Sequence, residues 1–279
     1  MTRAATRLAA ALAALLLAPQ LAGAWGAGAQ RLIANKAVDT LPSDMQQFYE
    51  GARHQIAQQS TEPLEWLKKN ATLEQRHRCI FLDRYGRFPF DALPRDYNLA
   101  VKKIGKRTLE LNGLLPWQIG VYSEKLTNAF KARNWEEVKY YSAILSHYVA
   151  QAHDPFATTE NFDGHMTNQV GIDQRFSTSL VDRFSLFFFV HPNDAAFIQD
   201  PTDHAFERCL SSHAWVYHVL LADRRSRRGL TDYTDEYYDR LYSQAGAILL
   251  RGISDAASDV GSYWMTAWVN AGRPKLPPR

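Results

Sequence analysis

The chain has 279 residues, of which 46% are hydrophobic and 22% charged. Thirty-two Lys and Arg residues against 29 acidic residues give a formal net charge of +3, which provides no general electrostatic attraction for nucleic acid. Beyond the first 24 residues, charges interrupt each apolar run within a few positions, so the sequence predicts no membrane span.

The first 24 residues have the pattern of a secretory signal peptide. Arg3 and Arg7 form a basic start, an apolar run from 8 to 18 follows, and Ala22-Gly23-Ala24 supplies small residues for cleavage. The run is too short to span a bilayer, and no cysteine follows it to accept a lipid. We therefore expect a secreted or periplasmic protein whose mature chain starts at Trp25.

The remaining segment, 25–279, is long enough for one large domain or two small ones. It contains no linker rich in Pro, Gly or Ser that would divide it, so we predict a single domain. Cys79 and Cys209 are the only cysteines. An oxidising compartment would permit a disulfide between them, but only their spatial distance decides whether they pair. No sequence feature indicates an oligomeric state.

Apolar residues recur at spacings of three and four along most of the chain, which is typical of an all-α fold. Pro63, Gly86 and Pro89 interrupt the stretch 62–94, which we expect to be mostly loop. In chain order, the sequence predicts helices over 30–40, 43–58, 64–70, 97–111, 117–131 and 135–152, a loop over 154–171, and helices over 174–187, 205–222, 235–255 and 256–268.

Two surface-type motifs have more than one interpretation. The run from Phe187 to Val190 is interpreted as a helix end buried in the core, with contact to a membrane as the alternative. The cluster from Arg224 to Arg228 is interpreted as a solvated turn between helices. Binding of an anion or a lipid headgroup is the alternative for this cluster.

Several motifs in matching order resemble the bacterial zinc-dependent phospholipase C family, which belongs to one superfamily with the single-strand-specific nucleases. The motifs are Trp25-Gly26, Leu82-Asp83-Arg84-Tyr85-Gly86, Pro116-Trp117, His147-Tyr148, Thr158-Thr159-Glu160-Asn161 and Tyr263-Trp264-Met265-Thr266-Ala267-Trp268. The resemblance covers essentially all of 25–279. It implies a compact, multi-helix domain that holds three zinc ions in a cleft and hydrolyses phosphodiesters.

The resemblance also implies which positions bind zinc: the amino-terminal Trp, then histidines and carboxylates on several helices. Trp25 and His147 match this pattern. The positions that carry a different residue are Gln30, Arg78, Gln151, Ala157, Asp173 and Ser177.

These replacements change the expected chemistry, because catalytic zinc needs about three protein ligands and structural zinc four. Arg78 would place a cation beside two dications. We therefore expect that the trinuclear centre does not assemble, and we assign no zinc cofactor. A rewired site with one metal, built from Trp25, His147, Asp154 and Asp173, is the alternative, since His147 and Asp154 share a helix face.

Three functions follow from this comparison. The favoured one is an exported pseudoenzyme that binds a phosphate-bearing or lipid ligand without hydrolysing it, with Arg78 as a possible anion contact because a guanidinium can hold an anion where zinc once did. The second is a working phosphodiester hydrolase that uses a reduced or rewired metal site. The third is a structural or interaction protein.

Overall fold

The computed structural model describes residues 25–278, so the predicted signal peptide lies outside the described residues. Residues 25–278 form helices and loops without a strand, which confirms the predicted all-α class. The helices are α1 (Ala27–Ala37), α2 (Ser43–Gln59), α3 (Glu62–Lys69), α4 (Ala71–Arg78), α5 (Tyr97–Ile104), α6 (Lys106–Asn112), α7 (Leu115–Ala132), α8 (Trp135–Ala152), α9 (Leu180–Phe184), α10 (Pro201–His213), α11 (Val216–Ser226) and α12 (Asp235–Asn270). None of the helices in this part of the chain is long and apolar enough to cross a membrane.

The helix boundaries differ from the prediction at several places, and the predicted helix 205–222 is divided into α10 and α11. Gly105, with φ 95°, divides the predicted helix 97–111 into α5 and α6. The two helices predicted over 235–268 are a single helix, α12, because no residue between them breaks the pattern. This helix needs Gly261, where an added Cβ would lie 1.9 Å from Thr40 Oγ1.

Helix α4 lies inside the stretch that was predicted to be mostly loop. Asn70 starts it, since the Asn70 side chain accepts a hydrogen bond from the backbone N–H of Leu73 at 3.2 Å. Its apolar positions are few, so its sequence shows little helical periodicity. The helix delivers Arg78 to the interior at its last residue.

Helix α8 is the central element of the core. Every residue of α8 from Ser142 to Ala152 is buried, and α8 packs against α1, α2, α7 and α12. A helix that is buried on all sides has no solvent face. His147 and Gln151 on α8 must therefore find their hydrogen-bond partners inside the protein.

An extended segment, 191–198, lies along α12 and is held by a row of hydroxyl groups, which we call the hydroxyl ladder. The ladder consists of hydrogen bonds from His191 N to Ser254 Oγ (3.3 Å), Asn193 N to Ser258 Oγ (2.9 Å), Ala196 N to Ser262 Oγ (3.0 Å) and Ile198 N to Thr266 Oγ1 (2.9 Å). The acceptors recur every fourth residue, so they share one face of the helix.

The interpretation of Phe187–Val190 as a buried helix end is wrong for two of its residues. Phe187 is 68% exposed and Phe189 79% exposed, whereas Val190 is buried. Phe188 and the preceding Phe184 stack on Tyr242 of α12 and anchor the segment. Phe187 and Phe189, on either side of Phe188, are left exposed to solvent.

The buried end of the ladder can be tested with Thr266→Val. This variant keeps the shape of the side chain but leaves the buried N–H of Ile198 without its acceptor. We expect a loss of about 1 to 3 kcal/mol in the free energy of unfolding, measured by urea denaturation. Ser243→Ala, at an exposed position of the same helix, is the matched control and is expected to change stability by less than about 0.5 kcal/mol. Equal effects of the two variants would contradict the role of the ladder.

Candidate functional site

The structure brings most of the zinc-type positions together at the carboxyl end of α8. We define the polar cluster as Arg78, His147, Gln151, Asp154, Asp173 and Ser177. Arg78 ends α4, while His147 and Gln151 lie on α8 and Asp154 follows it. Asp173 and Ser177 come from a π-helical turn, Gln174–Ser179, and the residue just before it.

The start of α1 lies beside this cluster. The Gly26 N–H donates to the carbonyl oxygen of Ser177 at 3.4 Å, and the Trp25 indole Nε1–H donates to the carbonyl of Ala150 at 2.8 Å. Gln30 follows one turn later on α1, is buried, and has no hydrogen-bond partner for its side-chain amide within residues 25–278. The chain around Trp25 thus approaches the cluster through its backbone, while the indole ring is packed in the core.

His147 is fully buried and uses both ring nitrogens. Nδ1 lies 3.0 Å from the carbonyl oxygen of Ser60, which can only accept, so Nδ1 carries the proton. Nε2 is then the acceptor and receives the Gln151 amide at 3.3 Å. Burial and the nearby charge of Arg78 hold the pKa of His147 well below its usual value. The lone pair that a metal would use is therefore occupied by Gln151.

Arg78 is a buried guanidinium close to this histidine. Burial lowers the pKa of Arg78, and the negative charge of Glu74 is the largest of the influences that oppose this change. Glu74 is itself buried and accepts a hydrogen bond from the Tyr148 hydroxyl at 2.9 Å. An arginine keeps its charge in proteins, so a positive charge occupies the space beside His147.

Asp154 completes the central part of the cluster. Its Oδ1 accepts the backbone N–H of Phe156 at 2.9 Å. Burial raises the pKa of Asp154 to about 7, and the nearby carboxylate Asp173 adds to this increase. The Ser177 hydroxyl, the Phe156 N–H and Arg78 act in the opposite direction and lower the pKa. The carboxyl group therefore takes up a proton as the pH falls through about 7.

Ala157 and Ser177 contribute no ligand atom of the type expected for zinc, whereas Asp173 retains a carboxylate. Ala157 is buried, and its carbonyl accepts the N–H of Ile80 at 2.8 Å. Across residues 25–278, no three His, Cys, Asp or Glu side chains lie close enough together to hold one metal ion.

The polar cluster is closed to solvent. Gln30 and the central residues Arg78, His147, Gln151, Asp154 and Ser177 are each between 0 and 3% exposed. Asp173, at its edge, is also buried. A phosphodiester or a water molecule in bulk solvent has no direct contact with these side chains.

A second group of ionisable residues was not identified from the sequence. His153 Nε2 lies 2.9 Å from Asp259 Oδ2, and His204 Nε2 lies 3.1 Å from Asp259 Oδ1. Burial would raise the pKa of Asp259, but both histidines hold it well below its usual value. Asp259 is 106 positions from His153, so no local spacing could have indicated this contact.

The cysteines are both buried and present as free thiols. Burial raises the pKa of Cys79 to about 12 and also raises the pKa of Cys209, to which Cys79 contributes.

Comparisons with known proteins show a likeness of fold. The chain is similar in structure to the alpha toxin from Clostridium absonum, with a TM-score of 0.52 and 12% sequence identity. The match covers 91% of this chain and 65% of the toxin chain, so this chain spans slightly less than two thirds of the toxin's length. No family model matches, and no curated protein matches by sequence. The likeness supports a distant phospholipase C-like, all-α fold and concerns the fold alone.

The raised pKa of Asp154 leads to a pH-dependent prediction. Its folded pKa, about 7, lies above the unfolded value of about 3.9, so its contribution to stability is complete below about pH 4 and is lost as pH rises through 7. Asp154→Asn removes this titration. We expect the variant to gain stability relative to the wild type by about 2 to 3 kcal/mol between about pH 5 and pH 8, measured by urea unfolding.

Asp91→Asn, at an exposed position, is the control and is expected to show no comparable change. A stability difference between Asp154→Asn and the wild type that does not vary with pH would show that Asp154 is ionised throughout this range.

Proposed function

We propose that this chain is an exported, non-catalytic protein with a phospholipase C-like fold, which binds a phosphate-bearing or lipid ligand without hydrolysing it. The observation that carries the proposal is the closed polar cluster. His147 has both ring nitrogens engaged by Ser60 and Gln151, at a place where the sequence resemblance implies a zinc ion.

Accessibility supports this proposal. A catalytic zinc ion keeps one coordination position open for water or substrate. The central residues of the cluster have no more than 3% of their surface exposed, so a substrate would require the helices around them to separate. The arrangement fits a closed interior better than an open reaction cleft.

The charges in the polar cluster also support a non-catalytic protein. A zinc ion beside Arg78 would meet a buried positive charge, and the repulsion between two cations is large where water is excluded. Gln151 supplies a neutral amide where the family pattern calls for a bridging carboxylate, and Asp154 is half protonated near neutral pH. Together these groups are better suited to a site filled by protein side chains than to a site that binds a metal ion.

Burial also limits the role of Arg78 as an anion contact. The guanidinium lies inside the cluster and is 3% exposed. An external phosphate would have to enter a closed region to reach it. We therefore place the ligand-binding surface of the protein outside the polar cluster.

Zinc content is the first test. Protein purified without metal-affinity resin is expected to contain less than about 0.2 zinc ions per chain, because too few ligands converge for tight binding. It is also expected to show no turnover of bis(4-nitrophenyl) phosphate. Elemental analysis and an absorbance assay measure these outcomes. One or more tightly bound zinc ions per chain, together with turnover, would instead establish a rewired site that includes Trp25, His147, Asp154 and Asp173.

Restoration of the ligand positions is the second test. The substitutions are Gln30→His, Arg78→His, Gln151→Asp, Ala157→His, Asp173→His and Ser177→Glu. We expect the full set to bind at least about one zinc ion per chain, since it restores the number of ligands that zinc requires. The matched control carries the same changes but retains Arg78, and it is expected to bind less zinc.

Circular dichroism would establish that both proteins are folded. A folded variant that carries all six changes and binds no zinc would show that the assignment of ligand positions is wrong.

A further inference from the structure

We propose that an arginine-lined groove beside the loop 167–169, separate from the polar cluster, binds a phosphate group. The inference rests on the proposed binding function and names the surface that performs it. We call this surface the arginine groove. Its lining consists of Thr167, Asn168, Gln169, Asp223, Arg224, Arg225, Arg227, Arg228 and Leu230, around a volume of about 610 Å³.

Four guanidinium groups contribute to one side of this groove. Arg224 and Arg225 occupy the last turn of α11, and Arg227 and Arg228 follow it before Gly229. All four side chains are exposed. The negative end of the helix dipole explains why basic residues occur in the last turn of α11. It does not explain Arg227 and Arg228, which follow the helix. Nor does it explain why the polar residues Thr167 and Asn168 line the same groove.

Little negative charge is available to neutralise these arginines. Within residues 25–278, Arg224, Arg225 and Arg228 form no salt bridge, and Arg227 donates a hydrogen bond to the Tyr233 hydroxyl at 2.6 Å. Four cations within five positions repel one another, and a bound anion relieves that repulsion. Arginine suits phosphate in particular, because its planar donors form paired hydrogen bonds with two phosphate oxygens.

Asp223 is the only carboxylate in the lining of the groove, and its charge is already engaged. It is 1% exposed and forms a buried salt bridge with Arg175 at 3.0 Å. Its other oxygen accepts the Gln169 amide at 2.6 Å, and the Tyr237 hydroxyl also donates to Asp223. The carboxylate therefore does not compete with an incoming phosphate for the four exposed arginines.

The two walls of the groove are fixed before any ligand arrives. Gln169 connects the 167–169 loop to α11, because its amide also donates to the carbonyl of Leu220 at 2.8 Å. Arg240 of α12 donates to the carbonyl of Arg228 at 2.9 Å and holds the turn after α11. A groove whose walls are already fixed loses less conformational entropy on binding.

Pyrophosphate and anionic vesicles are suitable probes, because the phosphate group could belong to a free metabolite or to a lipid headgroup. We would titrate the purified protein with pyrophosphate by calorimetry at low ionic strength. A parallel sedimentation assay would use vesicles of phosphatidylglycerol and of phosphatidylcholine. The test variant is Arg225→Gln with Arg228→Gln, which leaves α11 and the contact between Arg227 and Tyr233 in place.

The matched control is Lys103→Gln with Arg107→Gln, which removes the same charge from exposed positions elsewhere. We expect the test variant to lose about tenfold or more in affinity while the control retains it. Added salt should weaken binding, because the arginines are exposed. Pyrophosphate binding without vesicle binding would identify a soluble ligand, and vesicle binding alone would identify a headgroup.

Failure of the wild-type protein to bind either probe would overturn the inference, as would equal affinity in the test variant and the control. These outcomes are separate from those of the proposed function. Bound zinc with phosphodiester turnover would refute the non-catalytic assignment whatever the groove binds. A protein without zinc or turnover that also binds neither probe would refute the arginine groove and leave the non-catalytic assignment in place.

Discussion

The buried positive charge of Arg78 constrains the whole interior around α8. A guanidinium removed from water must be balanced by nearby negative or polar groups, since an isolated buried charge is very costly. Glu74 provides the largest charge contribution to that balance, while His147 stays neutral beside it. A metal ion in the same space would upset this balance. The arginine therefore explains why the surrounding residues suit a closed interior and do not suit a metal centre.

The segment 169–177 separates two chemically different regions. Asp173 and Ser177 belong to the polar cluster, whereas Gln169 and Arg175 bond to Asp223 beneath the arginine groove. A π-helical turn over Gln174–Ser179 is wider than an α-helical turn and changes the direction of successive side chains. This local geometry allows one short segment to serve a closed interior on one side and an open, basic surface on the other.

Much of the fold follows from sequence periodicity, and the exceptions have physical causes. Helix α8 matches its predicted bounds, 135–152, because Asn134 caps it and its apolar pattern is continuous. Helix α4 escaped prediction because it is polar. The exposure of Phe187 and Phe189 depends on contacts with Tyr242, which lies more than fifty positions away. The changed ligand positions are readable from the sequence, but the closure of the polar cluster requires the packed helices.

The hydroxyl ladder on α12 shows how a helix can take the role of a sheet edge. Four residues of an α-helix advance about 6 Å, and two residues of an extended chain advance about 6.6 Å. The two periods nearly agree, so Ser254 and Ser258 receive amides two positions apart. The next step, from Asn193 to Ala196, takes three positions for the same four helical residues, so the segment contains one extra residue there. The helix thus fixes the register of an extended chain. Its side-chain hydroxyls accept the backbone N–H groups that the carbonyls of a neighbouring strand would accept in a sheet.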